Sequence, residues 1–320
     1  MEKTLVREFL AGEDARGRRL DAALAVLFPC LGLRGRRRLW KEYLVLADGI
    51  ARSPAYRLRG GETIRLVPLS ADAVQELPAA CAEDPPRFLA RRGSFFFFYK
   101  PGGLHTESLA GASTRSLAAL LGQLVPEESG TLRLLGRLDQ GSSGIVAAAG
   151  DEDAAQQWRR WENAGDVEKD YLAVLEGSLA GERLVRNALD PASARRTRVS
   201  EEDGPILRHT RIRPLACFQA GDAPEIMPGH PGEAYFTLAV CRIAKGARHQ
   251  IRAHTAHAGH PLAGDALYGA CGGSSFFLHH CRIQWPEGRL SCLPPWIATL
   301  PASVRAYAES CCGGTDSPHA

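Results

Sequence analysis

Apolar and polar positions along this chain fall into blocks that predict a small unit, a connector and a larger unit. Leu20, Ala23, Leu24 and Leu27 recur at helical spacing behind Asp14 and Gly17 and predict a first helix. A second helix is expected over residues 34–43, with Leu39 and Tyr43 inward. Short strands follow near 43–46 and 63–67, the second entered through the Gly60-Gly61 turn. Residues 68–92 hold four prolines and no steady period, which reads as a linker. Beyond it, Phe95, Phe96, Phe97, Phe98 and Tyr99 predict a buried strand stopped by Lys100-Pro101-Gly102-Gly103. A helix is expected over 116–124, with Leu117, Leu120, Leu121 and Leu124 as its core face. Ile145 to Ala149 is an apolar strand, and Asp151 or Asp153 can cap a helix whose inward face is Ala154, Trp158 and Trp161. A strand is expected over 167–177 and another over 236–243. A helix over 248–258 places Arg248 and Arg252 four apart on one face, and a last strand over 276–285 closes the unit. Residues 178–235 are poorly patterned and arginine-rich, and the tail from Gly313 is expected to be disordered.

Charge sharpens this division. Residues 1–67 carry 14 Lys and Arg against 8 Asp and Glu, whereas the remainder carries 25 against 28. The basic excess therefore lies in the first fifth of the chain, as in an appended nucleic-acid-binding module. The N-terminus shows no apolar signal segment and no run reaches transmembrane length, so no membrane partner is expected. Nine cysteines without a C-x-x-C pair argue against a disulfide framework and for a reducing cytoplasm.

The chemistry concentrates in residues 136–150, G-R-L-D-Q-G-S-S-G-I-V-A-A-A-G. Asp139 stands beside Arg137 and before a turn in which Gly141 and Gly144 can take positive φ or let another chain approach closely. By itself this is a turn with an ion pair, so Asp139 needs partners elsewhere. Tyr171, in the strand K-D-Y-L-A-V-L-E-G, and the arginines of R-H-Q-I-R-A-H are the remaining candidates, although a lone strand tyrosine is usually structural. An arginine at a helix start beyond a strand and a glycine loop suits a pocket that must hold an anion or pair a buried carboxylate. His254, His257 and His260 are spaced three apart, but a glycine and a proline flank the last, and no metal site is expected. No phosphate-cradling glycine motif, dinucleotide fingerprint or G-x-S-x-G elbow is present, so no nucleotide cofactor and no serine hydrolase are expected.

Two resemblances follow from these residues. Arg19-Leu20-Asp21, the basic helix bearing Arg34, Arg36, Arg37, Arg38 and Lys41, and G-G-E-x-I from Gly60 resemble an S4-type RNA-binding domain. The chain departs from it at Leu46-Ala47-Asp48-Gly49, where that family shows a V-N-G-like turn. Four ordered motifs over residues 95–285 resemble the RluA family of pseudouridine synthases: Y-K-P-G-G-L, G-R-L-D-Q-G-S-S-G-I, K-D-Y-L-A-V-L-E-G, and R-H-Q-I-R-A-H followed by G-H-P-L-A-G-D-A-L-Y-G. Gly136 replaces the usual histidine and Lys245-Gly246-Ala247 a T-G-like approach. The resemblance implies an α+β fold, a mixed and mainly antiparallel sheet flanked by helices, behind a small α/β S4-like domain. The expected division is 1–67, linker 68–92, catalytic domain 93–312 and tail 313–320.

The activity it implies is isomerisation of a uridine in RNA, with no cofactor, in a monomeric cytoplasmic enzyme. Asp139 would act at the sugar, as nucleophile at C1′ or as base at C2′. Arg252 would pair with Asp139, and Tyr171 would stack on the flipped base and help remove the C5 proton. Arg137 and Arg248 would bind phosphate or position the loop. Large-subunit ribosomal RNA is the expected substrate. Transfer RNA, a non-catalytic ribosome-assembly role, and a two-carboxylate glycosidic hydrolase using Asp265 are the competing readings.

Overall fold

The apolar blocks fold into the strands and helices that their periods call for, and the register between strands decides where the site lies. A computed structural model describes residues 7–29, 32–41, 43–48, 50–68, 84–107, 116–128, 131–190, 196–224, 230–269, 272–273 and 276–312. The expected disordered tail and most of the expected linker lie outside them. The chain divides into two units, residues 1–77 with 107–119, and residues 78–106 with 120–320.

In the first unit, strands β1 (Arg7–Leu10), β2 (Tyr43–Ala47), β3 (Ile50–Ala51) and β4 (Thr63–Pro68) form an antiparallel sheet in the order β1-β4-β2-β3. Helices α1 (Leu20–Ala23) and α2 (Leu33–Arg38) each run on into a short 3-10 turn. The second helix therefore ends before Tyr43, which opens a strand instead of closing the helix. Leu20, Leu24, Leu39, Trp40, Val45, Ile64 and Leu66 make the core. Asp21 is fully buried among them and takes hydrogen bonds from Arg19 (2.8 and 3.1 Å) and Arg37 (2.7 Å), while Arg36 donates to its carbonyl at 2.9 Å. Burial pushes the Asp21 carboxyl upward, yet the two guanidiniums outweigh that and hold it below the usual range.

The second unit is built on a sheet of ten strands among the described residues. Its path runs β10 (Arg183–Val185), β13 (Thr210–Gln219), β14 (Tyr235–Ile243), β9 (Glu168–Glu176), β17 (Leu278–Trp285), β8 (Ser143–Ala149), β6 (Phe95–Lys100) and β5 (Arg87–Arg92). Strands β7 (Arg133–Leu134) and β18 (Gly288–Ser291) extend β8 and β17, and β11 (Asn187–Asp190) and β12 (Arg198–Asp203) pair separately. Gly264–Asp265 (β15) and Gly272–Gly273 (β16) make a short parallel ladder. Strand β5 lies within the stretch read as linker. Its residues are only half-buried or exposed, so the chain there shows little apolar signal. The same reason explains why β10 to β13 were unpatterned: they are short or carry exposed arginines and glutamates.

The other α-helices among the described residues are α3 (Leu117–Leu124), α4 (Glu152–Ala164), α5 (Gln250–His257) and α6 (Ala302–Cys312); the last had no sequence forecast. Asp151 caps α4 by accepting from the Ala154 amide at 2.7 Å, and Gly165 ends it in the left-handed region. Side chains alternate along β9: Tyr171, Ala173 and Leu175 join the cluster with Ile251 of α5, and Leu172 and Val174 the cluster with Val304 and Ala308 of α6. No helix among the described residues is long and apolar enough to cross a membrane.

All neighbours on the path are antiparallel except β8 and β17, which run parallel. Across this joint the register aligns Tyr171 with His280, His280 with Gly144, and Gly144 with Lys100. Gly144 has φ +117, and a Cβ there would stand 2.4 to 2.8 Å from the His280 backbone, so only glycine fits. Beneath this row Asp170, 4% exposed, takes paired bonds from Arg242 (2.7 and 3.0 Å) and two from Arg282, from Nε at 2.9 Å and from Nη2. That triad ties β9 to both neighbours beside Tyr171.

Candidate active site

Asp139 sits in the turn that feeds β8, and the backbone around it is fixed from below. Lys100 is fully buried, and its ammonium donates to the carbonyls of Leu104 (2.7 Å), Pro101 (2.9 Å) and Gln140 (3.3 Å). Thr106 Oγ1 donates to the Leu138 carbonyl at 2.7 Å and accepts from the Leu138 amide at 3.1 Å. The Gly103 amide donates to Gln140 O at 2.8 Å, and Ser142 N to Asp139 O at 3.1 Å. Gly141 has no positive φ; it is needed because a Cβ would stand 2.7 Å from the Phe276 ring. The main chain on either side of Asp139 is thus held while its side chain stays about a quarter exposed.

Arg252 reaches this carboxylate from α5. Its Nη1 donates to Asp139 Oδ2 at 3.0 Å, while Nε and Nη2 grip Asp265 at 2.7 and 2.9 Å. Phe276 and Tyr268 lie under the guanidinium at 4.4 and 5.2 Å. Burial alone would lower the Arg252 pKa, but Asp265 and then Asp139 outweigh it and raise it. Arg252 is therefore charged at any ordinary pH, as a buried carboxylate pair requires. Asp265, 1% exposed, also accepts from the Leu267 amide at 3.0 Å.

Tyr171 is 7% exposed, and its ring stacks on His280 with centroids 4.6 Å apart and planes 14° apart. Burial, and then the negative charge of Asp139, push its hydroxyl well above the ordinary phenol range. His280 donates from Nδ1 to the Ile145 carbonyl at 2.6 Å, and burial lowers its pKa to about 4, so it is a neutral platform. Tyr171, His280, Lys169, Leu138, Arg137 and Gly136 line a small solvent-open cleft. Lys169 pairs with Glu162 at its edge.

The structure thus brings Asp139 and Arg252 into contact, with Tyr171 within reach of the Asp139 charge and Arg137 on the cleft. Arg248 does not share a helical face with Arg252. It lies in the turn ahead of α5, because His249 takes the left-handed conformation (φ 53, ψ 20) and the helix begins only at Gln250. Its carbonyl accepts from Thr197 at 2.9 Å. In the first unit Arg36 and Arg37 are engaged with Asp21, and the side chains of Arg34, Arg38 and Lys41 lie outside the described residues. His249, Tyr268 and Lys100 were not singled out by the sequence reading, and Asp265, named there only for the hydrolase reading, is instead the main partner of Arg252.

The histidines near α5 have other partners. His254 is shared between Thr210 Oγ1 (2.7 Å) and Asn187 O (3.1 Å), and His260 bonds the Glu176 carbonyl at 3.0 Å. Among the described residues no three His, Cys, Asp or Glu side chains gather as metal ligands.

The acid turn and the arginine helix thus meet on the face of the sheet that carries Tyr171. The family model for RNA pseudouridylate synthase matches residues 94–257, and the chain belongs to that family. It is 30% identical over 269 residues to ribosomal large subunit pseudouridine synthase D of Xanthomonas campestris pv. campestris, covering 82% of this chain and 75% of that one. It is 26% identical over 275 residues to ribosomal large subunit pseudouridine synthase C of Pasteurella multocida, covering 82% and 78%. Its fold matches human RNA pseudouridylate synthase domain containing 1 with a TM-score of 0.53 at 20% identity, over 73% of this chain and 97% of the human one. The chain is an RNA pseudouridine synthase with the α+β fold of that family.

Proposed function

We propose that this enzyme isomerises uridine in large-subunit ribosomal RNA, with Asp139 as the catalytic carboxylate. The observation that carries the site assignment is the single arginine, Arg252, that grips Asp265 with two donors and offers its third to Asp139. The reaction breaks the C1′–N1 bond, turns the base and forms C1′–C5. The proton leaves C5 and one is taken up at N1, so nothing is oxidised and no co-reactant is consumed. Asp139 keeps Oδ2 on Arg252 and presents Oδ1 to the sugar, where it attacks C1′ or removes a proton at C2′. Arg252 stabilises the carboxylate against burial, and its own position is fixed by Asp265 rather than by solvent.

Tyr171 contributes a ring beside the base. Its raised pKa keeps the hydroxyl protonated at neutral pH, so we assign it packing and hydrogen bonding rather than removal of the C5 proton. Arg137 at the cleft and Arg248 beside α5 suit backbone phosphates. Asp265 does not suit the hydrolase reading, because both of its oxygens are already taken by Arg252 and the Leu267 amide. The ribosomal target rests on relatives named for the large subunit. The basic first unit, with its Arg-bearing second helix, is the part we assign to holding RNA as an S4-like domain. Mapping pseudouridines in cells with and without the gene tests this. A large-subunit site lost on deletion and restored by the intact gene is expected, and loss of a transfer RNA site alone would contradict it.

A further inference from the structure

We infer that His249 is the residue that receives the ribose 2′-hydroxyl of the target uridine and so selects RNA over DNA, an inference that rests on placing Asp139 at the sugar. His249 is one of two non-glycine residues with positive φ among the described residues. A left-handed backbone at a side-chain-bearing position is disfavoured and is retained where the surroundings over-determine it. Here it brings the imidazole to Asp139: Nε2 lies 3.9 Å from Oδ1, beyond direct hydrogen-bonding range.

In the tautomer we assign, Nδ1 carries the proton and the Tyr268 hydroxyl gives its own to Thr197 rather than to His249. Tyr268 accepts from the Thr197 amide at 2.8 Å and donates its own proton to the Thr197 carbonyl at 3.2 Å. What remains of the Tyr268 oxygen is an acceptor, 3.1 Å from His249 Nδ1. With Nδ1 protonated, Nε2 presents a bare lone pair toward Asp139. The ring is neutral at ordinary pH, since burial lowers its pKa. The charge of Asp139 opposes that shift, Arg252 and Arg248 add to it, and Asp265 opposes it more weakly.

The sugar supplies the missing donor. Whether Asp139 acts at C1′ or at C2′, the 2′-oxygen is bonded to one of these carbons and adjacent to the other, so it must lie beside Oδ1. Given no other acceptor, the hydroxyl would donate to Oδ1 and occupy the oxygen needed at carbon. Asp139 Oδ2 is held by Arg252 and offers no alternative. His249 Nε2 is the neighbouring acceptor, and taking the 2′-O–H leaves Oδ1 available. A 2′-deoxy sugar leaves Nε2 with nothing to accept.

The test uses an RNA oligonucleotide carrying the mapped target uridine, and the same oligonucleotide with 2′-deoxyuridine at that one position. Single-turnover pseudouridine formation is followed for the wild type and for His249→Gly, which tolerates the left-handed backbone and deletes the imidazole. The wild type should lose about tenfold on the deoxy substrate, the size of one hydrogen bond. His249→Gly should lose about the same on the all-ribose substrate and show little further loss on the deoxy one. Losses that multiply in the variant would overturn the proposal. So would equal wild-type rates on the two substrates, a result that holds even if the variant does not fold. No pseudouridine from the wild type on either RNA would instead overturn the proposed function.

Discussion

Arg252 donates to two carboxylates at once, and the division of labour between them is the main residue-scale feature. Asp265 takes two of its donors and Asp139 one. Removing one partner from such a buried pair costs about 3–5 kcal/mol, which makes Asp265 a positioning residue with effects on both fold and rate. Asp265→Asn should lower the unfolding midpoint and slow single-turnover pseudouridine formation by about tenfold or more, while RNA affinity measured by filter binding stays near wild type. Loss of RNA affinity with an unchanged rate would show that Asp265 shapes the RNA surface rather than Arg252. Asp139, Tyr171 and Arg252 were legible because each sits in a short ordered motif. Asp265 was legible only as a turn residue or as the second carboxylate of a hydrolase, since its partner Arg252 stands 13 positions away across a helix end. Lys100 looked like part of a turn signal. Nothing local says that an ammonium followed by proline will be wholly buried on three carbonyls, one of them 40 positions away.

At the scale of elements, apolar strands were read well and polar ones were not. The aromatic run of β6 is buried at every position, and the apolar run of β8 likewise. Such strands announce themselves, whereas β10 to β13 and β5 are largely half-exposed or exposed, and the short apolar stretches in β5 and β13 are flanked by arginines or a proline. The boundary errors have local causes: His249 in the left-handed region delays α5, and a 3-10 turn at Leu39–Lys41 cuts α2 short before Tyr43. The decisive element contact is the parallel meeting of β8 and β17, which no local pattern reveals. Gly144→Ala tests it. The left-handed backbone alone costs of order 1–3 kcal/mol for a non-glycine, and the added Cβ meets the His280 backbone at 2.4 Å. A sharply lowered thermal midpoint or insoluble protein is expected. A midpoint within a degree or two of wild type would contradict the β8–β17 register.

Over the whole molecule, two sequence signals carried different weight. The order of four motifs over the second unit identified the family, because the motifs supply the turn, strand and helix start that carry Lys100, Asp139, Tyr171 and Arg252. The basic excess of the first 67 residues pointed to RNA, yet two of the arginines behind that reading, Arg36 and Arg37, also hold the first unit together through Asp21. Charge counts do not distinguish an arginine that waits for phosphate from one already spent on a buried carboxylate. The account therefore stands or falls on Asp139, and the most direct measurement is single-turnover pseudouridine formation by Asp139→Asn alongside its RNA affinity. The substitution preserves shape and a partner for Arg252 but removes the reacting carboxylate. RNA binding within about twofold of wild type with no pseudouridine formed is the expected result, a loss of at least about 10³-fold in rate. Measurable turnover at a rate near wild type would contradict it.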